Sequence, residues 1–295
     1  MAVPFKGPAL SQLLYSDVCS RSFGDLDILV SRIDLKGAII LLEQNGYELD
    51  THLSVDYYLK LVDKHHHANL INKKNGVSVE LHWEITGRYL PQKVELEFLR
   101  SRLDSVELNG VQLLNIGKED LFVYLCVHGN RHCWAQLEFI SCLAAYIRKF
   151  PDLNWSLTSK IAHQIGAERI VTLGLMLVEY CFGVSTTEML RGRVKWKRLI
   201  KVKEDVERAL LTEQKELNEE QLQANRLSFH YHTMDRRRDG LKYCFRKFCV
   251  PDVSDVSWLP LPRSLLFVYV IVRPIRFVGL LITFHLKSKI FKKGT

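Results

Sequence analysis

The sequence contains no CxxC pair, no HExxH arrangement, no internal repeat and no low-complexity stretch. The first absence removes the usual zinc-ribbon and dithiol-redox patterns, the second a helix-borne zinc-protease site, and the third a solenoid. No signal-peptide pattern opens the sequence as given. Its cysteines are odd in number, seven in all: Cys19, Cys126, Cys133, Cys142, Cys181, Cys244 and Cys249. They read as reduced thiols in a cytoplasmic protein. An uninterrupted apolar run of spanning length is also missing. The strongest, Ser264 to Phe284, is broken near its middle by Arg273, Pro274 and Arg276. A central Arg is costly in a bilayer, so this stretch reads as core or surface-lying helix. No nucleic-acid module and no interleaving of basic with aromatic residues is present. What remains is a 295-residue chain, 47% hydrophobic and 25% charged, with a net charge of +8. That is enough chain for two domains. The positive excess favours an anionic partner such as a nucleotide, a nucleic acid or a membrane surface, without choosing among them.

Residues Arg21–Val30, RSFGDLDILV, set two aspartates one residue apart inside an apolar run. Strands disfavour Asp. Side chains alternate along a strand, so Leu26, Ile28 and Val30 share one face and Asp25, Asp27 and Leu29 the other. Two carboxylates on one face repel, and either they meet water or something cationic sits between them. Alone, the segment also fits a solvated edge strand.

Other segments narrow the choice. Val3–Lys6 reads as a short strand, and Pro8–Tyr15, after the Gly7-Pro8 turn, as a helix. Asp34 is placed to cap a helix carrying Leu35, Ala38, Ile39 and Leu42, which Asn45-Gly46 closes. Lys74-Asn75-Gly76 is a hairpin signal between two strand-like runs. In the second run Val77, Val79, Leu81 and Trp83 share one face, and Ser78, Glu80, His82 and Glu84 the other. A third acid, Glu80, thus joins Asp25 and Asp27 on polar strand faces. From Lys118 the periodicity is helical. A boundary near residue 115 separates an α/β domain, 1–115, from a helical domain, 116–295. Carboxylates at this spacing suit Mg²⁺ or Mn²⁺ and phosphoryl chemistry.

The segments FKGPAL, RSFGDLDILV and VSVELHW resemble the uncharacterised nucleotidyltransferase family of the polymerase-β-like superfamily, with its KG-x-AL, R-x-x-GD-[IL]-D-x-LV and [DE]-LHW pattern. The likeness extends through VHGNRHCWAQLEFI, DLNWSLTSKIA and LPLPRSLLFVYVIVRPIR, nearly the whole chain. It implies an α+β fold: an N-terminal nucleotidyltransferase mixed sheet with helices, followed by an all-helical domain. It further implies a metal-dependent transferase moving a nucleoside monophosphate from an NTP, ATP foremost, to an acceptor. Asp25, Asp27 and Glu80 would be catalytic and hold the metals. Lys6, Gly7 and Arg21 would meet the nucleotide phosphates. His82 and His67 would stand just behind, touching a ligand or the substrate. Where the wider superfamily has Gly-Ser or Gly-Gly, this chain has Gly7-Pro8, which offers neither the N–H nor a hydroxyl. The helical segment that usually precedes the KG turn is not in this sequence, which reads as a fragment, a late start or a reduced, N-terminally truncated member. Cys142 stands where the family tends to have Asp.

Blander readings stand beside these. His65, His66 and His67 read as a solvated hairpin strand, with His67 able to reach the cleft. His128 and His132, at helical spacing beside Cys133, read as histidines packing a helix end. His82 fits a structural hydrogen bond as well as a ligand contact. The alternative function is a non-catalytic binding or assembly module of the same fold, associated with an anionic membrane surface through the basic, apolar C-terminal helices. The expected location is the cytoplasm or the membrane periphery.

Overall fold

The computed structural model describes residues 1–51, 55–59, 66–186, 197–211, 219–249, 263–272 and 274. His65 and most of the apolar stretch beyond Val272 lie outside them. The contacts divide the chain into two compact units, Met1–Lys195 and Trp196–Thr295. The change from strands to helices expected near residue 115 falls inside the first unit, between a strand ending at Asn115 and a helix starting at Lys118.

The first unit is built on a five-stranded mixed sheet: β1 (Ala2–Pro4), β2 (Asp25–Val30), β3 (Tyr47–Leu49), β4 (His67–Asn72) and β5 (Ser78–His82), in the order β1-β2-β5-β4-β3. Strands β2 and β5 run parallel, and the other pairs antiparallel. The α+β expectation is met. The period-2 pattern explains the two faces. Val30, Ala68, Leu70, Val79, Leu81 and Trp83 form one buried layer with Leu35 and Ile39 of α2 (Leu35–Gln44), and Leu26 and Ile28 pack against it. The opposite face carries Asp25, Asp27, Glu80 and His82.

Local chemistry sets the turns. Asn72 Oδ1 accepts from Lys74 N at 3.0 Å and Asn75 Oδ1 from Val77 N at 3.0 Å, closing the β4–β5 hairpin over Gly76. Helix α2 differs from expectation at its start: the Asp34 backbone is already helical, its side chain makes no cap bond, and its carboxylate lies 3.2 Å from the amine of Met1. The first strand is also shifted, to Ala2–Pro4. Five-residue α3 (Val55–Leu59) and four-residue α4 (Leu96–Leu99) lie among the connections. A second, two-stranded sheet of β6 (Asp104–Leu108) and β7 (Val111–Asn115) was not anticipated.

Helices α1 (Gly7–Tyr15), α5 (Lys118–Arg131), α6 (Leu137–Lys149), α7 (Trp155–Ile165) and α8 (Glu168–Phe182) complete this unit's framework. The start of α5 is tied down by Arg102, whose guanidinium grips the buried Asp120 carboxylate at 2.6 and 2.9 Å. Fork-to-fork pairs of this kind fix direction as well as add energy. The second unit holds α9 (Lys197–Leu211), α10 (Glu219–Thr233) and α11 (Arg237–Cys249). No disulfide joins any of the seven cysteines. Among the described residues no helix is long and apolar enough to cross a membrane.

Candidate active site

The parallel pairing of β2 with β5 brings the acids together. Asp27 lies opposite Glu80 in register, and Asp25 opposite Ser78. On the far side of β5, antiparallel β4 sets His67 opposite His82 and Asn69 opposite Glu80. Three adjacent strands therefore project Asp25, Asp27, Glu80, His82 and His67 from one face.

The cation beside the aspartates comes from the end of β1. Lys6 Nζ sits 2.6 Å from Asp27 Oδ1, with the Asp27 side chain 1% exposed. The same oxygen accepts from His82 Nε2 at 3.0 Å, and His82 Nε2 also lies 3.1 Å from Glu80 Oε2. His67 Nε2 stands 3.9 Å from Glu80 Oε1. Phe5, wholly buried, meets the His82 ring edge-on at 5.2 Å and the Tyr124 ring of α5 at 5.2 Å. The site is thus roofed by α5.

The charges follow from this packing. Burial opposes ionisation of Asp27, but the hydrogen bond from His82 and the Lys6 ammonium outweigh it, and its pKa falls below the usual value. Burial likewise opposes Glu80, and the His82 bond and the two imidazoles again bring it down. Burial works against the Lys6 ammonium, yet Tyr124, Asp27 and Asp25 around it leave its pKa raised. Asp25 goes the other way: burial, then the negative charges of Asp27 and Glu80, push it up. So Asp27 is already neutralised by its neighbours, whereas Asp25 sits in excess negative potential. Burial pulls His67 down to about 4, with His82 and Arg131 adding to the fall. At neutral pH it is an uncharged imidazole.

Gly7 opens α1 with φ +55°, and a Cβ there would lie 3.0 Å from the Asp25 carbonyl oxygen. Both facts demand glycine. Gly7→Ala should therefore cost about 1–2 kcal/mol in urea unfolding. Gly24, which precedes β2, has neither a positive φ nor a neighbour within 4 Å of such a Cβ. Gly24→Ala should stay within about 0.5 kcal/mol of wild type. Equal losses in the two variants would contradict this account.

Arg21 was expected at the phosphates, but its Nε pairs with Glu138 of α6 at 2.8 Å. The solvated reading of the histidine run does not hold for His66 and His67. His66 Nε2 lies 3.1 Å from His67 Nδ1 and 3.2 Å from Arg131 Nη1, and His67 turns to Glu80. His128 and His132 pack ring to ring at 4.8 Å and both meet Phe139 at 5.4 Å, the helix-end packing expected of them. Burial pushes the Cys142 thiol up to about 11, so it stays protonated where a carboxylate was expected. Arg131 and Tyr124 escaped sequence reasoning: no short-range signal says which side of α5 faces the sheet.

Among the described residues, the three metal-ligating side chains whose donor atoms gather within 4.8 Å are His67, Glu80 and His82. A metal site of mixed nitrogen and oxygen donors is available at the Glu80 end of the face.

A model of an uncharacterised nucleotidyltransferase family matches residues 1–183, which includes the sheet, its polar face and α5–α8. No curated protein and no solved structure matches the chain. The family supports nucleotidyl transfer as the general activity, with an NTP and a divalent ion as its usual requirements.

Proposed function

The chain belongs to the uncharacterised nucleotidyltransferase family, and from that premise we propose that it moves a nucleoside monophosphate from an NTP, ATP foremost, to an acceptor group. The acceptor oxygen or nitrogen attacks the α-phosphorus, the bond to the bridging oxygen breaks, and pyrophosphate leaves. The observation that carries this reading is the parallel register of Asp27 with Glu80, with Asp25 on the same face.

Asp25, Asp27 and Glu80 offer the hard oxygen donors that Mg²⁺ or Mn²⁺ takes, and the raised pKa of Asp25 reflects a negative potential that a cation relieves. Such an ion supplies charge neutralisation at the phosphates and an activated acceptor. The protein's own share is positioning. Lys6 holds its ammonium beside Asp27 within reach of an incoming phosphate. Gly7, at the N-terminus of α1, brings that end's positive dipole close to the face. Arg131 adds positive potential from α5. Arg21 serves the phosphates only after leaving Glu138. Residues 1–115 form the transfer domain, and α5–α8 of the helical part close it.

A second reading keeps the fold without the chemistry. Lys6 and His82 together satisfy Asp27 Oδ1, as they would in a binding or assembly module. A pyrophosphate-release screen with four NTPs, Mg²⁺ or Mn²⁺ and a pool of candidate acceptors separates the two. Acceptor-dependent release supports transfer. Nucleotide binding with no release under any combination supports the module.

A further inference from the structure

We infer that His67, Glu80 and His82 form a site for a borderline first-row ion, of the Mn²⁺, Co²⁺ or Zn²⁺ class, that Mg²⁺ does not fill. The inference shares Glu80 with the transfer reading, as a carboxylate that holds metal, and otherwise stands on the two imidazoles.

Geometry carries it. Register alone sets His67 directly across from His82, and Glu80 lies two residues before His82 on the same face. The rings stand 5.2 Å apart, and the donor atoms of all three side chains lie within 4.8 Å of one another. His82 Nε2 is 3.1 Å, and His67 Nε2 3.9 Å, from the Glu80 oxygens. Two ligands held about 2.1 Å from one tetrahedral ion are roughly 3.4 Å apart, so rotation of the partly exposed Glu80 and His67 side chains suffices. Nδ1 of His67 is already engaged by His66, which fixes the ring with Nε2 toward Glu80, as the partner of a ligating imidazole does. His82 is 2% exposed and its Nδ1 meets no protein partner. Asp27 Oδ1 is held by Lys6 as well as by His82 Nε2, so the more exposed Glu80 is the carboxylate that turns toward the imidazoles, and the Nε2 proton of His82 is released when the ion binds.

The donor chemistry selects the ion. Mg²⁺ prefers oxygen ligands and retains its waters, whereas two imidazoles with one carboxylate suit borderline ions. Three protein ligands rather than four leave a position open for water or substrate, the pattern of catalytic rather than structural sites.

Metal-free protein, its cysteines blocked by alkylation, is titrated with Co²⁺ while the visible d–d absorption is followed. One equivalent should bind with a nitrogen–oxygen spectrum. Stoichiometric Zn²⁺ should displace it, and hundredfold Mg²⁺ should not. His67→Gln should weaken Co²⁺ binding at least tenfold, and Glu97→Gln, an exposed acid paired with Arg100 away from the site, should leave it unchanged. In case His67→Gln does not fold, the wild-type chain is read directly: Zn²⁺ should shift the ring nitrogen resonances of His67 and His82. Absence of a one-equivalent Co²⁺ site, displacement by Mg²⁺, undiminished binding in folded His67→Gln, or unshifted His67 and His82 resonances each overturns the inference. Co²⁺ binding without any pyrophosphate release would defeat the transfer reading and leave this one standing. Release with Mg²⁺ and no Co²⁺ site would do the reverse.

Discussion

Asp25→Asn should reduce acceptor-dependent pyrophosphate release by on the order of 10²–10³-fold or more, while the metal-free protein melts at the same temperature or slightly higher. Loss of a single group that stabilises developing charge typically has an effect of that size. The stability half follows from sign. Burial, then Asp27 and Glu80, hold the Asp25 carboxyl above its ordinary range, with Lys6 and His82 opposing. A carboxyl raised on folding contributes nothing below its unfolded pKa and weakens the fold as pH rises toward the folded one. Above the folded value that penalty is fully present, and the neutral amide removes it. Paired measurements decide the matter: melting temperature without metal, and release with NTP and Mg²⁺. A clear drop in melting temperature would show that Asp25 serves the fold, and undiminished release would remove it from the chemistry.

The contrast between the two aspartates was only half legible in the sequence. Alternation along Asp25–Val30 and Ser78–His82 identifies the polar faces, because a strand buried on one side has a period of two. Asn75-Gly76 identifies the β4–β5 hairpin for the same local reason. What no local pattern supplies is that β5 inserts between β2 and β4 and runs parallel to β2, which is what sets Glu80 beside Asp27. Nor does it say that β1 lies antiparallel on the other side of β2, Pro4 opposite Ile28. That pairing delivers Lys6 to Asp27 and leaves Asp25 without such a partner.

Other differences have equally specific causes. The β6–β7 hairpin carried its own signal, Asn109-Gly110, both with positive φ at 51° and 79°. Those are the residues and angles that a tight primed turn requires. Asp34 has the composition of a cap, but its backbone is already helical, at φ −82° and ψ −11°, whereas a capping residue is extended. For Arg21 the cause is competition, since Glu138, over a hundred residues on, claims its guanidinium. Charged side chains find their partners through tertiary structure, so their roles are the least legible part of a sequence.

Asp27→Asn should destabilise the protein by about 3–5 kcal/mol, the usual cost of removing one member of a buried ion pair. In a unit of this size, Met1–Lys195, that corresponds to roughly 6–20 °C in melting temperature. The reason is the charge left behind. The Lys6 and Asp27 side chains are 11% and 1% exposed, so the amide leaves an ammonium buried without its counter-ion. The pH dependence carries a signature. Burial opposes the Asp27 charge, but His82 and Lys6 bring its pKa below the ordinary 3.8. Its stabilisation is therefore complete above that value and is lost as pH falls through the lowered folded one. For Lys6, burial is outweighed by Tyr124 and the aspartates, and its pKa is raised above 10.5. Its contribution is complete below 10.5 and is lost as pH rises through the folded value. The gap between wild type and Asp27→Asn should be widest between these limits and close at both ends. Lys6→Met alone should also destabilise, by stranding the carboxylate with His82. The double variant, Lys6→Met with Asp27→Asn, should recover much of the loss, because removing both charges leaves neither buried alone. Strict additivity of the two single losses, or a melting temperature unmoved by Asp27→Asn, would mean that the Lys6–Asp27 pair does not hold the β1 end of the site together.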